Sequence, residues 1–127
     1  FGLHILRGMP LMAARRNTPV EGTGFFAREL IDMGSRCPWN PHVYGLNMSH
    51  PGSQAYYDGW ARYLVEELGA HFIKADDIVT HPDELVALID ALDRASPDGG
   101  PRLSLSPGNR VIGSELRLYE RASMLRV

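Results

Sequence analysis

The stretch Phe72-Ile73-Lys74-Ala75-Asp76-Asp77-Ile78 decides the fold, because it is an apolar run that ends in charged residues. Side chains alternate along a strand, so Lys74 and Asp76 are expected on the same face. A lysine and an aspartate on a buried face are costly unless they pair with each other or bind a ligand. The stretch therefore predicts a strand whose carboxyl end carries either a structural ion pair or a catalytic carboxylate.

Similar apolar runs flank this stretch and alternate with helix-like segments. The predicted strands cover residues 3–6, 71–75, 102–105 and 124–127. The predicted helices cover residues 51–68, 83–92 and 114–122, from apolar residues at three- and four-residue spacing. Ser49 is the expected N-cap of the first helix, and Gly69 is expected to end it. This order implies parallel strands joined by right-handed crossovers, as in a (β/α)8 barrel or a doubly wound sheet.

The segment 9–45 differs from the rest because prolines and glycines interrupt it repeatedly. It is predicted to be one long loop with only a short helix at 25–33. Connections of this length inside a compact domain are usually functional, often as a wall over a site. Trp39, within Cys37-Pro38-Trp39-Asn40, is a candidate aromatic platform for a ligand.

Composition narrows the class of protein. Of the 127 residues, 44% are hydrophobic and 22% are charged, which is typical of a globular rather than a disordered chain. The formal net charge of −2 offers no field for nucleic acid or an anionic membrane, so neither is an expected partner. Cys37 is the only cysteine, so no disulfide forms within the chain.

Polar residues gather where the predicted strands end, which is where both candidate folds carry their chemistry. His4 lies in the first strand and is either a buried structural histidine or a site residue. Arg126 lies in the last strand and needs either a structural carboxylate or a substrate hydroxyl. A metal site of Asp76, Asp77 and His81 is a further hypothesis. Asp76 and Asp77 face opposite sides of a regular strand, which weakens the metal hypothesis, and Asp77 is expected to be a turn or helix-start residue.

These residues resemble the α-galactosidases of glycoside hydrolase family 27 and their melibiase-like bacterial relatives. The matching stretches, in order along nearly the whole chain, are Phe1-Gly2-Leu3-His4, Pro51-Gly52-Ser53-Gln54-Ala55-Tyr56-Tyr57, Leu68-Gly69-Ala70-His71-Phe72-Ile73-Lys74-Ala75-Asp76, Ser104-Leu105-Ser106-Pro107-Gly108 and Leu125-Arg126. The chain departs from the family at Ala75, where an aromatic is frequent, and at Leu125, where Trp is usual. These departures concern which sugar is bound rather than the fold.

The resemblance implies an α/β fold that is a partial (β/α)8 barrel. About four parallel strands would have intervening helices and one long loop. Residues 1–127 would form part of a single catalytic domain, from roughly the third barrel strand to the start of the sixth. No cofactor or metal is implied, and carbohydrate is the expected partner. If the protein is like the family, it is secreted or periplasmic. The oligomeric state does not follow from the sequence.

The resemblance also implies a retaining glycosidase acting on terminal α-linked galactose or a related sugar. Such enzymes use two carboxyl groups about 5 Å apart, one as nucleophile and one as general acid/base. Asp76 matches the nucleophile, and the general acid/base would follow Arg126 beyond this chain. The chain alone is therefore expected to be inactive, and a non-catalytic carbohydrate-binding piece is the alternative. The residues expected to bind the substrate are Lys74, Arg126, His4, Ser106 and Trp39.

Overall fold

The computed structural model describes residues 1–106, 113–122 and 124–125. The strands are β1 (Gly2–Leu6), β2 (Met9–Pro10), β3 (Ile31–Arg36), β4 (Val43–Leu46), β5 (Phe72–Asp76), β6 (Arg102–Ser106) and β7 (Met124–Leu125). The α-helices are α1 (Leu11–Arg16), α2 (Ala27–Leu30), α3 (Pro51–Arg62), α4 (Pro82–Ala95) and α5 (Leu116–Tyr119). A π-helical turn, Tyr63–Glu67, extends α3, and a 3-10 turn, Gly113–Glu115, precedes α5.

The main sheet is parallel and has the strand order β1-β5-β6-β7. Within this sheet, each strand pairs with the strand of the same sheet that follows it in the chain, as in a (β/α)8 barrel. In a doubly wound sheet, by contrast, the strand order reverses at the switch point. The predicted α/β fold and its four strands are confirmed. The end of the last predicted strand, residues 126 and 127, lies outside the described residues.

The two faces of the main sheet differ in character. Ile5, Ile73, Ala75, Leu103 and Leu105 are all buried and belong to the hydrophobic core. The core also contains the apolar stripe of α4, namely Leu85, Leu88, Ile89 and Leu92. Because side chains alternate along a strand, the even-numbered residues of β1, β5 and β6 face the opposite side. That opposite face carries most of the predicted site residues.

The segment 9–45 is not one long loop, so that prediction was wrong. It contains a three-stranded antiparallel sheet with the order β2-β4-β3. The predicted helix at 25–33 shrinks to the four residues of α2, and β3 begins at Ile31. Gly34 is a poor helix former, and pairing of Ile31 and Asp32 with β4 satisfies the backbone there instead. Long-range pairing overrides the local helical pattern.

The ends of the helix after this segment also correct the prediction. His50 is the N-cap of α3, and its Nδ1 accepts a hydrogen bond from the Gly52 N–H at 3.0 Å. Ser49 does not cap the helix, because it lies one residue before the N-cap, in a turn where its N–H donates to Asn47 Oδ1 at 3.0 Å. Gly69 follows the helical segment with a φ of 66°, which confirms it as the stop signal.

The helix predicted at 114–122 is shorter than expected, since only α5 is α-helical. Among the described helices, none combines the length and the apolar character that crossing a membrane requires.

Candidate active site

Asp76 is the last residue of β5, and its side chain is 14% exposed. One carboxylate oxygen, Oδ2, lies 2.5 Å from His4 Nε2 and 3.8 Å from Lys74 Nζ. The other oxygen, Oδ1, is buried and has no hydrogen-bond partner among the described residues. A buried polar atom without a partner costs about 1–3 kcal/mol. The arrangement thus leaves one oxygen of a carboxylate unsatisfied at the carboxyl end of a strand.

His4 and Lys74 reach Asp76 because the sheet register places them together. In the parallel pairing His4 lies opposite Lys74, and Leu6 lies opposite Asp76. Lys74 and Asp76 share one face of β5, as the alternation of side chains predicts. An ionised carboxylate only accepts hydrogen bonds, so Nε2 is the protonated ring nitrogen of His4 when Asp76 is charged. The His4 side chain is 52% exposed, so it also has a free surface to offer a ligand.

The other predicted site residues are placed less completely. Ser106 ends β6 directly opposite Asp76 in the register and is half-buried. Trp39 is exposed on the turn between β3 and β4, and no hydrogen bond or ion pair among the described residues joins it to Asp76. Burial raises the pKa of the Cys37 thiol at the start of that turn, and the nearby Asp77 raises it further. The turn therefore does reach the carboxyl edge of β5. Arg126 lies outside the described residues.

Arg7 is a buried residue of this region that the sequence did not reveal, and it is only 2% exposed. Its Nε donates to the Asp77 carbonyl at 2.7 Å, and its Nη2 donates to the Asp77 carboxylate at 3.1 Å. Its Nη1 donates to Glu84 Oε2 at 2.6 Å and to Ser35 Oγ at 2.8 Å. The available signal was a charged residue directly after an apolar strand. Such a residue at the end of a buried strand needs a partner.

Glu84 completes this network from the first turn of α4. Its Oε1 accepts hydrogen bonds from the backbone N–H of Leu46 and the hydroxyl of Tyr57, both at 2.9 Å. Burial raises the pKa of Tyr57 well above its usual value, and the adjacent Glu84 raises it further. Burial alone would lower the pKa of Arg7, but the pairing with Glu84 and Asp77 outweighs this and raises it. The network therefore joins the Arg7 guanidinium to the carboxyl groups of both Glu84 and Asp77.

The metal hypothesis requires the side chains of Asp76, Asp77 and His81 to converge on one point, and Asp77 does not join the other two. Its carboxylate faces Arg7, and its φ of 59° shows that the strand has ended and a turn has begun at this residue. Within the described ranges no group of three histidine, cysteine or acidic side chains is arranged to hold a metal ion. His81 is the N-cap of α4, and burial followed by the charge of Arg7 lowers its pKa below 6.5.

Two cavities on the described part of the chain do not include Asp76 in their lining. A groove of about 690 Å³ lies between the segment around Pro19 and the α3 residues Tyr56 and Trp60. A smaller cavity of about 270 Å³ is lined by Asp32, Asn47, His81 and their neighbours. We assign the site from the chemistry at the strand ends, because enzymes with parallel α/β sheets carry their catalytic groups there.

The chain belongs to the class of (β/α)8-barrel proteins. Three features define this class: parallel strands in chain order, core helices packed against one face of the sheet, and a carboxylate at its carboxyl edge. Comparison with solved structures narrows the class. The chain is 40% identical to a family 27 β-L-arabinopyranosidase from Geobacillus stearothermophilus, with a TM-score of 0.89, over 99% of this chain and 30% of that enzyme. An aspartate-to-alanine variant of that enzyme in complex with arabinose matches at 39% identity, with the same TM-score and coverage.

A candidate α-N-acetylgalactosaminidase from Bacillus halodurans C-125 is also similar. It is 32% identical, with a TM-score of 0.77, over 92% of this chain and 30% of that protein. No protein-family model and no curated protein matches the chain. The chain belongs to glycoside hydrolase family 27, and it spans about 30% of the length of the structures it matches.

Proposed function

We propose that the protein carrying this chain is a retaining glycosidase, and that it removes a terminal α-linked galactose or a closely related sugar. Asp76 is the nucleophile in this proposal. One observation carries it: Asp76 sits at the carboxyl end of a barrel strand with one carboxylate oxygen held by His4 and the other unpartnered among the described residues. A nucleophilic carboxylate needs this combination of fixed orientation and one free oxygen.

The neighbours of Asp76 fit the binding of a sugar ring. Lys74 lies 3.8 Å from Asp76 and is 36% exposed, so its ammonium can donate to a hydroxyl next to the reacting carbon. His4 is more exposed and presents an imidazole edge at the same place. Ser106 adds a hydroxyl on the neighbouring strand. We assign Arg126 and Trp39 to the same substrate from the family resemblance alone.

The class of sugar follows from stereochemistry. Three kinds of glycoside have the same configuration at the anomeric carbon and at the neighbouring ring carbons that carry oxygen or nitrogen. They are the β-L-arabinopyranosides, the α-D-galactopyranosides and the N-acetyl-α-D-galactosaminides. They differ in the substituents at the second and fifth carbons. Similarity to an arabinopyranosidase and to a candidate α-N-acetylgalactosaminidase therefore supports a galacto-configured ring as substrate. Ala75, where the family often has an aromatic, is buried in the core on the face of β5 opposite Asp76, so we do not assign discrimination among these sugars to it.

The test compares the 4-nitrophenyl glycosides of these three sugars with the full protein, its Asp76→Ala variant and an Asp98→Ala control on an exposed loop. We expect turnover of at least one substrate, with the anomeric configuration retained in the first product seen by NMR. Loss of the nucleophile should lower kcat by at least about 10⁴-fold. The control should remain active.

A sample treated with EDTA separates this proposal from the metal hypothesis, since chelation should leave the glycosidase activity unchanged. Inversion of configuration, or an Asp76→Ala variant with more than a small fraction of native activity, contradicts the proposed role of Asp76. A full protein that binds galacto-configured sugars but turns over none would favour the non-catalytic alternative.

A further inference from the structure

The peptide segment that follows the proposed nucleophile is held by one residue, Arg7. The backbone N–H of Arg7 donates to the carbonyl of Asp76 at 3.2 Å, and its Nε donates to the carbonyl of Asp77 at 2.7 Å. The two successive carbonyls at the end of β5 therefore share one donor residue. The orientation of these peptides sets the direction in which the Asp76 side chain leaves the strand.

The backbone at this point adopts a conformation that needs support. Asp77 has a φ of 59°, in the left-handed region that is costly for residues with a side chain, although asparagine and aspartate visit it more often than most. Its carboxylate accepts from Arg7 Nη2 at 3.1 Å, so the same side chain holds both the carbonyl and the carboxylate of the strained residue. Without these bonds the chain would relax towards the β or right-handed helical region, and Asp76 would rotate with it.

The surroundings of Arg7 are shaped to fix its guanidinium. Five N–H donors in a planar fork demand acceptors in set directions, and Glu84 and Ser35 occupy two of these directions. Gly45 in β4 leaves the space that the guanidinium fills, because a Cβ there would lie 2.1 Å from Arg7 Nη1. The guanidinium is therefore held from the side of β4 and α4 as well as from β5.

We propose that Arg7 is a positioning residue for the glycosidase reaction: it holds the left-handed turn at Asp77 and thereby aims the Asp76 carboxylate at the sugar. This inference rests on the proposed role of Asp76 as nucleophile. Arg7 itself is buried and acts through Asp77, so it is not a catalytic residue. A guanidinium that served only to pair two buried carboxylates would affect stability without affecting the reactivity of Asp76.

The experiment measures how fast Asp76 reacts with a fluorinated galactosyl fluoride, which traps the covalent glycosyl-enzyme, by intact mass and peptide mapping of the full protein. Arg7→Lys keeps the charge but loses the fork. A nucleophile displaced by about 1 Å reacts up to roughly 100-fold more slowly, so we expect labelling and kcat to fall about 10- to 100-fold and KM to change less than about 3-fold. Measurements are made well below the melting temperature of each variant.

Arg94→Lys is the matched control, since Arg94 is 55% exposed and pairs with Asp58 at the surface. It should label at the native rate. A second pair of variants separates the turn from the charge: Asp77→Asn and Asp77→Ala both remove the carboxylate, but asparagine tolerates the left-handed conformation better. We expect Asp77→Asn to label faster than Asp77→Ala, and this comparison also decides the matter if Arg7→Lys does not fold.

Each outcome has a distinct meaning. Native labelling rates in Arg7→Lys, or equal rates in the two Asp77 variants, overturn the positioning role and leave Asp76 as nucleophile. Labelling of a residue other than Asp76 in the native protein overturns the proposed function, and the role of Arg7 falls with it. Slow labelling in Arg7→Lys together with a native rate in Arg94→Lys supports both.

Discussion

Replacing Gly45 by alanine tests whether the buried charge network is as tightly packed as the structure indicates. A Cβ at this position would lie 2.1 Å from Arg7 Nη1 and 2.4 Å from Ser35 Oγ. The guanidinium would have to move by more than roughly 1 Å to reach ordinary contact distance. Nη1 would then lose its hydrogen bonds to Ser35 and Glu84. At about 1.5–3 kcal/mol for each bond to a charged group, and with some relaxation, the expected loss of stability is about 3–5 kcal/mol.

The matched control is the same substitution at Gly59, in the middle of α3. There the nearest atom to a new Cβ is Arg62 Nη2 at 3.8 Å, so nothing has to move. Alanine is a better helix former than glycine, and Gly59→Ala should stabilise the protein by about 0.5–1 kcal/mol. Urea unfolding of the full protein measures both variants. The reasoning is refuted if the two substitutions shift stability in the same direction, or if Gly45→Ala is within about 1 kcal/mol of the native protein.

Three further predictions concern single buried groups. Tyr57→Phe should cost about 1.5–3 kcal/mol in urea unfolding, because it removes a hydrogen bond to the charged Glu84, while Tyr63→Phe on the exposed surface should cost almost nothing. The pKa of His81 is lowered below 6.5 in the folded state. As the pH falls, His81 is therefore protonated at a higher pH in the unfolded chain than in the folded protein. Stability should therefore fall as the pH drops through 6.5, and less so in His81→Gln, when unfolding is followed from pH 7.5 to 5.5. Cys37 is buried with a raised thiol pKa, so its peptide should be alkylated far more slowly in the native protein than in urea, and rapid native labelling would contradict its burial.

The main sheet could be predicted because its signals are local. Each strand is a short apolar run, and α4 shows its buried stripe directly in the spacing of its leucines. The alternation of side chains along a strand is also a local property, and it correctly predicts that Lys74 and Asp76 share one face. Register could not be predicted, since the pairing of His4 with Lys74 depends on contacts between residues about 70 positions apart in the chain.

The network around Arg7 could not be predicted for the same physical reason. Its partners Ser35, Asp77 and Glu84 come from β3, the end of β5 and α4, and nothing in their local sequence links them. Local pattern also failed at Ile31, where a short apolar spacing resembled a helix and tertiary pairing made a strand. Charged residues at strand ends signal that a partner exists, but only the fold identifies it.

The small antiparallel sheet has a structural consequence for the site. It is inserted after β1 and before α3, the position from which a barrel extends loops over its carboxyl edge. Ser35 of β3 and the Leu46 N–H of β4 bond to Arg7 and Glu84, respectively. A flexible loop could not hold these donors and acceptors in fixed directions, whereas paired strands can. The small antiparallel sheet therefore supports the proposed nucleophile indirectly, through its hydrogen bonds to Arg7 and Glu84.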